Sequence, residues 1–152
     1  MWLWPDTLLH LIPGYLIYQI LGTSRHELSH AVAYLFSGYG ITRICVLPSQ
    51  RDGQFYWGYV ESMPKMGAKM NIHIMLAPYY TDLICIGMWF LTYIYAPRPW
   101  VPNDARLSIN LWICATVLLL LSPITDMLYN LTKWVRGKGG DFAEAAAYAK
   151  LH

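Results

Sequence analysis

The sequence predicts a membrane-embedded, all-α core of about three transmembrane helices with a small β-hairpin and a short C-terminal surface helix, and three observations carry this. Hydrophobic residues make up 56% of the 152 and charged residues only 13%, about half the charged share of a soluble domain. The 27 residues between Lys69 and Pro97 hold a single acid, Asp82, and the 26 between Arg106 and Lys133 hold a single acid, Asp126. Both stretches exceed the ~20 apolar residues that cross a bilayer. A third apolar run, Thr7 to Ser24, passes through a polar pentad into Ala31–Phe36. A soluble chain this short would struggle to surround three such helices with polar surface.

Helix one is expected over about 7–37, with Pro13-Gly14 and Gly22-Thr23 as points of kinking or division. Strand formers from Ile41 to Pro48, a turn from Ser49 to Gly53 and strand formers again from Gln54 to Val60 predict a β-hairpin over about 41–60. Helix two follows over about 66–95, a Pro-rich link over Pro97–Asn103, and helix three over about 104–135, ended by Gly137 to Gly140. The tail, 141–150, has an acidic start and helix-forming Ala and Glu, which suits a short helix on the body or at the interface. Residues 1–152 read as one domain without internal repeats. The opening Met1–Asp6 lacks the basic region of a secretory signal, so the first apolar segment is expected to be retained.

Basic residues set the expected orientation. Arg43, Arg51, Lys65 and Lys69 lie around the hairpin, and Lys133, Arg136, Lys138 and Lys150 near the tail, against Arg98 and Arg106 on the opposite side. Cytoplasmic loops carry the excess of Lys and Arg, so hairpin and C-terminus are expected in the cytoplasm and the N-terminus outside. Trp2, Trp4 and Trp100 would mark the outer interface and Trp134 the inner one. Cys45, Cys85 and Cys114 show no paired spacing and read as packing residues. The net charge of +2 is spread along the chain, without the basic face that nucleic-acid binding needs.

Chemistry concentrates in His26-Glu27-Leu28-Ser29-His30. Two histidines four residues apart project from one helix face and can reach one metal ion, while Glu27 lies beside them. Neutral imidazoles bind zinc, the ion acidifies a water, and a carboxylate takes the proton during attack on a carbonyl. The plainer reading is a helix start, with Ser24 as cap and Glu27 completing a capping box. Two histidines and a glutamate beside a membrane helix are costly without partners, so a third ligand is expected elsewhere. Asp126, the lone acid of helix three, is the first choice, with Pro123 opening the helix to aim it. His30 lies eight residues before Gly38 and Asp126 seven before Lys133, each about 10 to 12 Å from the same end. Asp82, thirteen residues after Lys69, lies roughly 20 Å deep and is expected to orient something in the site, with metal ligation as the alternative if helix tilt brings it near. The alternative role for Asp126 is as the buried partner of Arg25.

This order of features resembles the site-2-protease-like family of intramembrane zinc metalloproteases, over roughly Gly22 to Val135. That family has three core transmembrane helices, with His-Glu-x-x-His on the first, membrane-associated β-structure after it, and an aspartate ligand on the third. The resemblance assigns zinc to His26, His30 and Asp126 and the catalytic role to Glu27. Its middle-helix Gly-Pro-x-x-Asn pattern corresponds to Ala77-Pro78-Tyr79-Tyr80-Thr81, which places Thr81, with Asp82 beside it, at the substrate. The aspartate, commonly followed by glycine, is here followed by Met127. The resemblance implies cleavage of a transmembrane or membrane-proximal protein segment within or near the lipid, with an extended substrate adding to the edge of Gln54 to Val60. Two other functions fit the same residues: a membrane zinc hydrolase acting on a lipid-linked or small amide substrate, and a non-catalytic protein that binds metal or grips transmembrane helices.

Overall fold

The computed structural model describes residues 6–51, 53–95 and 113–151. Helix α1 (Asp6–Phe36) runs unbroken through both expected kink points. It closes where Ser37 N–H donates to the Ala33 carbonyl at 3.0 Å and Gly38 N–H to the Leu35 carbonyl at 3.1 Å.

The chain then turns into β1 (Tyr39–Cys45), β2 (Ser49–Arg51), β3 (Gln54–Tyr56) and β4 (Tyr59–Pro64). β1 and β4 are antiparallel from Tyr39↔Pro64 to Cys45↔Tyr59, with a register irregularity between Ile41 and Arg43. β2 and β3 continue the ribbon from Ser49↔Tyr56 to Arg51↔Gln54. The hairpin is thus longer than the expected 41–60, because Tyr39 and Gly40 pair with Pro64 and Met63 instead of serving as a connector.

Helix α2 (Ile72–Tyr95) begins six residues later than the expected Met66. Asn71 is the reason: its Oδ1 accepts the Ile74 N–H at 3.1 Å, capping the first turn, and a helix starts at its cap. The Asn71 amide also donates to Ser37 Oγ at 2.9 Å, tying the start of α2 to the end of α1.

Helix α3 (Ile113–Val135) contains a π-turn over Val117–Leu121, in which Ser122 N–H donates to the Val117 carbonyl five residues back. Pro123 follows directly. The Pro-rich link, helix three before residue 113, and the outer markers Trp2, Trp4, Trp100, Arg98 and Arg106 lie outside the described residues.

After α3, Gly137 N–H donates to the Trp134 carbonyl and Lys138 N–H to the Lys133 carbonyl, both at 2.9 Å. Gly137 and Gly140 take φ of 67° and 95°, a backbone region that costs other residues roughly 1–2 kcal/mol. This reversal folds α4 (Asp141–Leu151) back onto α2. There Phe142 stacks on Tyr79 with centroids 4.1 Å apart, and the Tyr148 hydroxyl donates to the Met70 carbonyl at 3.0 Å.

Among the described residues, α2 and α3 are long and apolar enough to cross a membrane. Only 33% and 17% of their apolar windows are buried, whereas the core helix of a soluble protein is mostly covered. Leu83, Ile84, Leu91, Leu128 and Val135 point outward and are exposed. The buried interior holds Ile74, Met75, Ala77, Pro78 and Tyr79 of α2 with Ala31 and Ala145. It also contains Glu27, Ser29, Asp82, Ser122 and Asn130.

Candidate metal centre

His26 and His30 stand one turn apart on α1, their ring centroids 4.9 Å apart. Each ring is aimed by its Nδ1. His30 Nδ1 lies 2.8 Å from the Ile74 carbonyl, which only accepts, so Nδ1 is the donor and Nε2 is free as a ligand. This carbonyl is available for a reason legible in the sequence. In an unbroken helix it would accept from the N–H four residues on, but that residue is Pro78, which has none.

His26 Nδ1 lies 2.7 Å from Asp126 Oδ2. The Asn130 amide donates to Asp126 Oδ1 at 3.1 Å, fixing the carboxylate from one turn further along α3. A carboxylate behind the histidine is the usual way to hold a metal-ligating imidazole in its tautomer and raise its basicity.

Both Nε2 atoms converge on Asp141, the first residue of α4. His26 Nε2 is 3.2 Å from Asp141 Oδ2 and His30 Nε2 is 3.7 Å from Asp141 Oδ1. The ligand atoms of His26, His30 and Asp141 all lie within 4.8 Å of one another, a grouping that could hold a metal ion. The Tyr79 hydroxyl donates to Asp141 Oδ2 at 2.8 Å. Burial pushes the Asp141 carboxyl up, but hydrogen bonds and positive charge from His26 and His30 outweigh it and hold it well below the usual carboxylate range.

Glu27 is buried on a neighbouring face of α1, beneath the hairpin. Gly58, in the short break between β3 and β4, passes so close that a Cβ there would sit 2.8 Å from Glu27 Cγ and 2.4 Å from Thr23 Cγ2. The absence of a side chain at Gly58 is what lets the ribbon lie on this part of α1.

The expected site residues therefore divide. His26 and His30 come together, and Asp126 reaches them, but on the Nδ1 side of His26. Arg25 pairs with Asp82, not Asp126: Arg25 Nη2 lies 2.8 Å from Asp82 Oδ1, and Arg25 Nη1 donates to Ser122 Oγ at 3.1 Å. Arg25 thus ties α1 to α2 through this fully buried acid and to α3 through Ser122. Thr81 Oγ1 accepts from the Ser29 hydroxyl at 2.8 Å and borders an open, mainly apolar groove between α1 and α2, with a volume of about 690 Å³. The groove is also lined by Arg25, Phe36, His73 and Tyr80, while His26, Glu27 and His30 lie outside its lining.

Asp141, Tyr79, Asn130 and the Ile74 carbonyl were not singled out from sequence. Asn130 follows Asp126 at helical spacing, and Pro78 announces an unpartnered carbonyl, so two of the four had a local signal. Asp141 had only the glycine-rich reversal before it, and an acid at a helix start is accounted for by the helix dipole alone.

Among the described residues, fold and site together define a mostly helical chain with two apolar helices of membrane-crossing length and a histidine–aspartate cluster that could hold a metal ion. Comparisons with protein-family models, with curated proteins and with solved structures give no match.

Proposed function

We propose that this chain is a zinc-dependent endopeptidase of the site-2-protease-like kind, embedded in a membrane through α1, α2 and α3, that cleaves a transmembrane or membrane-proximal protein segment. The observation that carries the reading is the pair of histidines on one turn of α1, each with its Nδ1 engaged and its Nε2 turned toward a shared carboxylate. Imidazole nitrogen and carboxylate oxygen are the donors that zinc takes in hydrolytic sites. Bound there, zinc supplies a Lewis acid that polarises a carbonyl and lowers the pKa of water.

Glu27, beside the histidines, is the general base. Its burial beneath the hairpin keeps bulk water off the carboxylate. The hairpin offers backbone next to Glu27, where an extended substrate can align by strand addition. A helical substrate must unwind to do this, which exposes the carbonyl to be attacked. Positive-inside charge supports a cytoplasmic hairpin and C-terminus, with the N-terminus outside. The contacts of Asn71 with Ser37 and of Tyr148 with Met70 gather the hairpin end of α1, the start of α2 and α4 at one end of the molecule.

The test uses the full chain in phosphatidylcholine vesicles with zinc and a panel of synthetic transmembrane peptides, with products read by mass spectrometry. Cleavage fragments from the wild type, lost in Glu27→Gln while zinc is retained, support the reading. Equal fragments from both proteins, or none from the zinc-loaded wild type, refute it. The open groove beside Thr81 favours one other reading, a non-catalytic protein that holds a transmembrane helix. Peptide binding without fragments would select it.

A further inference from the structure

We propose that Asp141, brought in by the C-terminal helix, is the third protein ligand of the metal, and that Asp126 serves from behind as the positioning residue of His26. This deepens the zinc reading and rests on it.

Proton accounting is the first argument. Neutral His30 must carry its ring proton on Nδ1, because the Ile74 carbonyl can only accept. When His26 binds a metal through Nε2, its ring proton stands on Nδ1, where the Asp126 carboxylate accepts it. Both Nε2 atoms face the Asp141 carboxylate; without a metal, a proton on Nε2 of an imidazole lies between ring and carboxylate. A metal ion takes the place of that proton and joins the three atoms. The Tyr79 hydroxyl fills one lone pair of Asp141 Oδ2 from outside the cluster and leaves the face toward the imidazoles open.

Distance is the second argument. Bonds of about 2.0–2.1 Å in tetrahedral geometry place ligand atoms about 3.3 Å apart. The imidazole-to-carboxylate separations, 3.2 Å to Oδ2 and 3.7 Å to Oδ1, lie near that value, and with one ligand atom from each residue the three lie within 4.8 Å of one another, so the side chains close by about an ångström around an ion. Asp126 stands differently: its Oδ2 is committed to the far nitrogen of His26 at hydrogen-bond distance, and its Oδ1 to Asn130. Three protein ligands leave a fourth position open, the pattern of a catalytic rather than a structural zinc site.

The consequence is that metal binding and docking of α4 are one event. Asp141 is the first residue of that helix, held by Tyr79 and followed by Phe142 on the same tyrosine ring. Zinc should therefore fasten α4 to the bundle, and releasing α4 should loosen zinc.

The experiment titrates Zn²⁺ into the metal-free full chain in detergent against a chelating dye, for the wild type, Asp141→Asn and Asp126→Asn. Amide hydrogen exchange of residues 141–151 is followed with and without zinc. Asp141→Asn keeps the shape and an acceptor for Tyr79, so loss of the fold is not the expected result, and the exchange of α2 amides checks this. Asp126→Asn should weaken zinc roughly 10–100-fold, the cost of an outer partner, and Asp141→Asn by more. Zinc should slow exchange in α4 of the wild type and leave α4 of Asp141→Asn unchanged. A larger loss in Asp126→Asn, or exchange in α4 indifferent to zinc, overturns the assignment while the zinc reading stands. A folded wild type that takes up no zinc overturns both, and the cation between the three atoms is then a proton. The predicted zinc pattern without any peptide cleavage refutes the peptidase alone.

Discussion

Replacing Pro78 by alanine should make the bundle more stable and the metal site weaker. Proline inside a helix costs about 3 kcal/mol relative to alanine, and here it also leaves the Ile74 carbonyl without its helical donor. Alanine restores that N–H, which then competes with His30 Nδ1 for the same oxygen. The buried ring contributes packing worth about 1 kcal/mol, and the His30 N–H displaced from the carbonyl costs about another 1 kcal/mol, so the metal-free variant is expected to gain about 1 kcal/mol. The imidazole of His30 loses the contact that fixes its tautomer, at a cost of about 10–100-fold in metal affinity, or about 1.4–2.7 kcal/mol. The two effects have opposite signs, which general damage to the fold would not produce. Thermal unfolding of the metal-free protein and zinc competition titration, run in the same detergent, read both. Unchanged zinc affinity would show that the carbonyl serves two donors at once and would refute the argument.

Three further outcomes follow from the geometry. Arg25→Ala leaves the fully buried Asp82 unpaired and should cost about 3–5 kcal/mol, seen as a fall in the denaturation midpoint that Arg25→Met with Asp82→Leu largely restores. Gly58→Ala drives a methyl into Thr23 and the Cys45 carbonyl and should cost about 1–3 kcal/mol; peptide cleavage should fall while zinc stoichiometry stays, because the hairpin moves and the histidines do not. Gly140→Val places a β-branched residue at a φ of 95° and should cost at least about 1–2 kcal/mol, detected as faster proteolysis of the C-terminal helix together with weaker zinc binding.

Much of the helical layout was legible because long apolar runs and glycine punctuation act locally. The hairpin was legible for the same reason, since Ile41 to Val60 alternates strand formers around one turn. The start of α2 was misplaced because apolar residues from Met66 onward resemble helix, while the single amide of Asn71 decides where the backbone donors are satisfied. The meeting of His26 and His30 was legible because helical spacing over five consecutive residues puts both on one face. Asp126 was found as the sole acid of its helix, but which nitrogen it would meet depends on the π-turn and Pro123, a rotation that composition does not encode. The partner of Arg25 was open for a related reason: Asp82 and Asp126 are each the only acid in an apolar helix, and tertiary packing alone chooses between them. Asp141 escaped notice because a short surface helix needs no function to explain its acidic start.

The order of the chain has a consequence for when this protein becomes competent. The histidines stand on the first helix, yet the carboxylate that meets His26 Nδ1 is 100 residues further on, and Asp141 comes later still, after the reversal that follows α3. A nascent chain carries the pair of histidines without Asp126 or Asp141 until α3 and the reversal after it have been made. Nothing near them in sequence can close the centre early. Assembly of the cluster therefore reports that the bundle is complete, and under the proposed function a half-built chain would not yet possess the chemistry that could act on its unfolded neighbours.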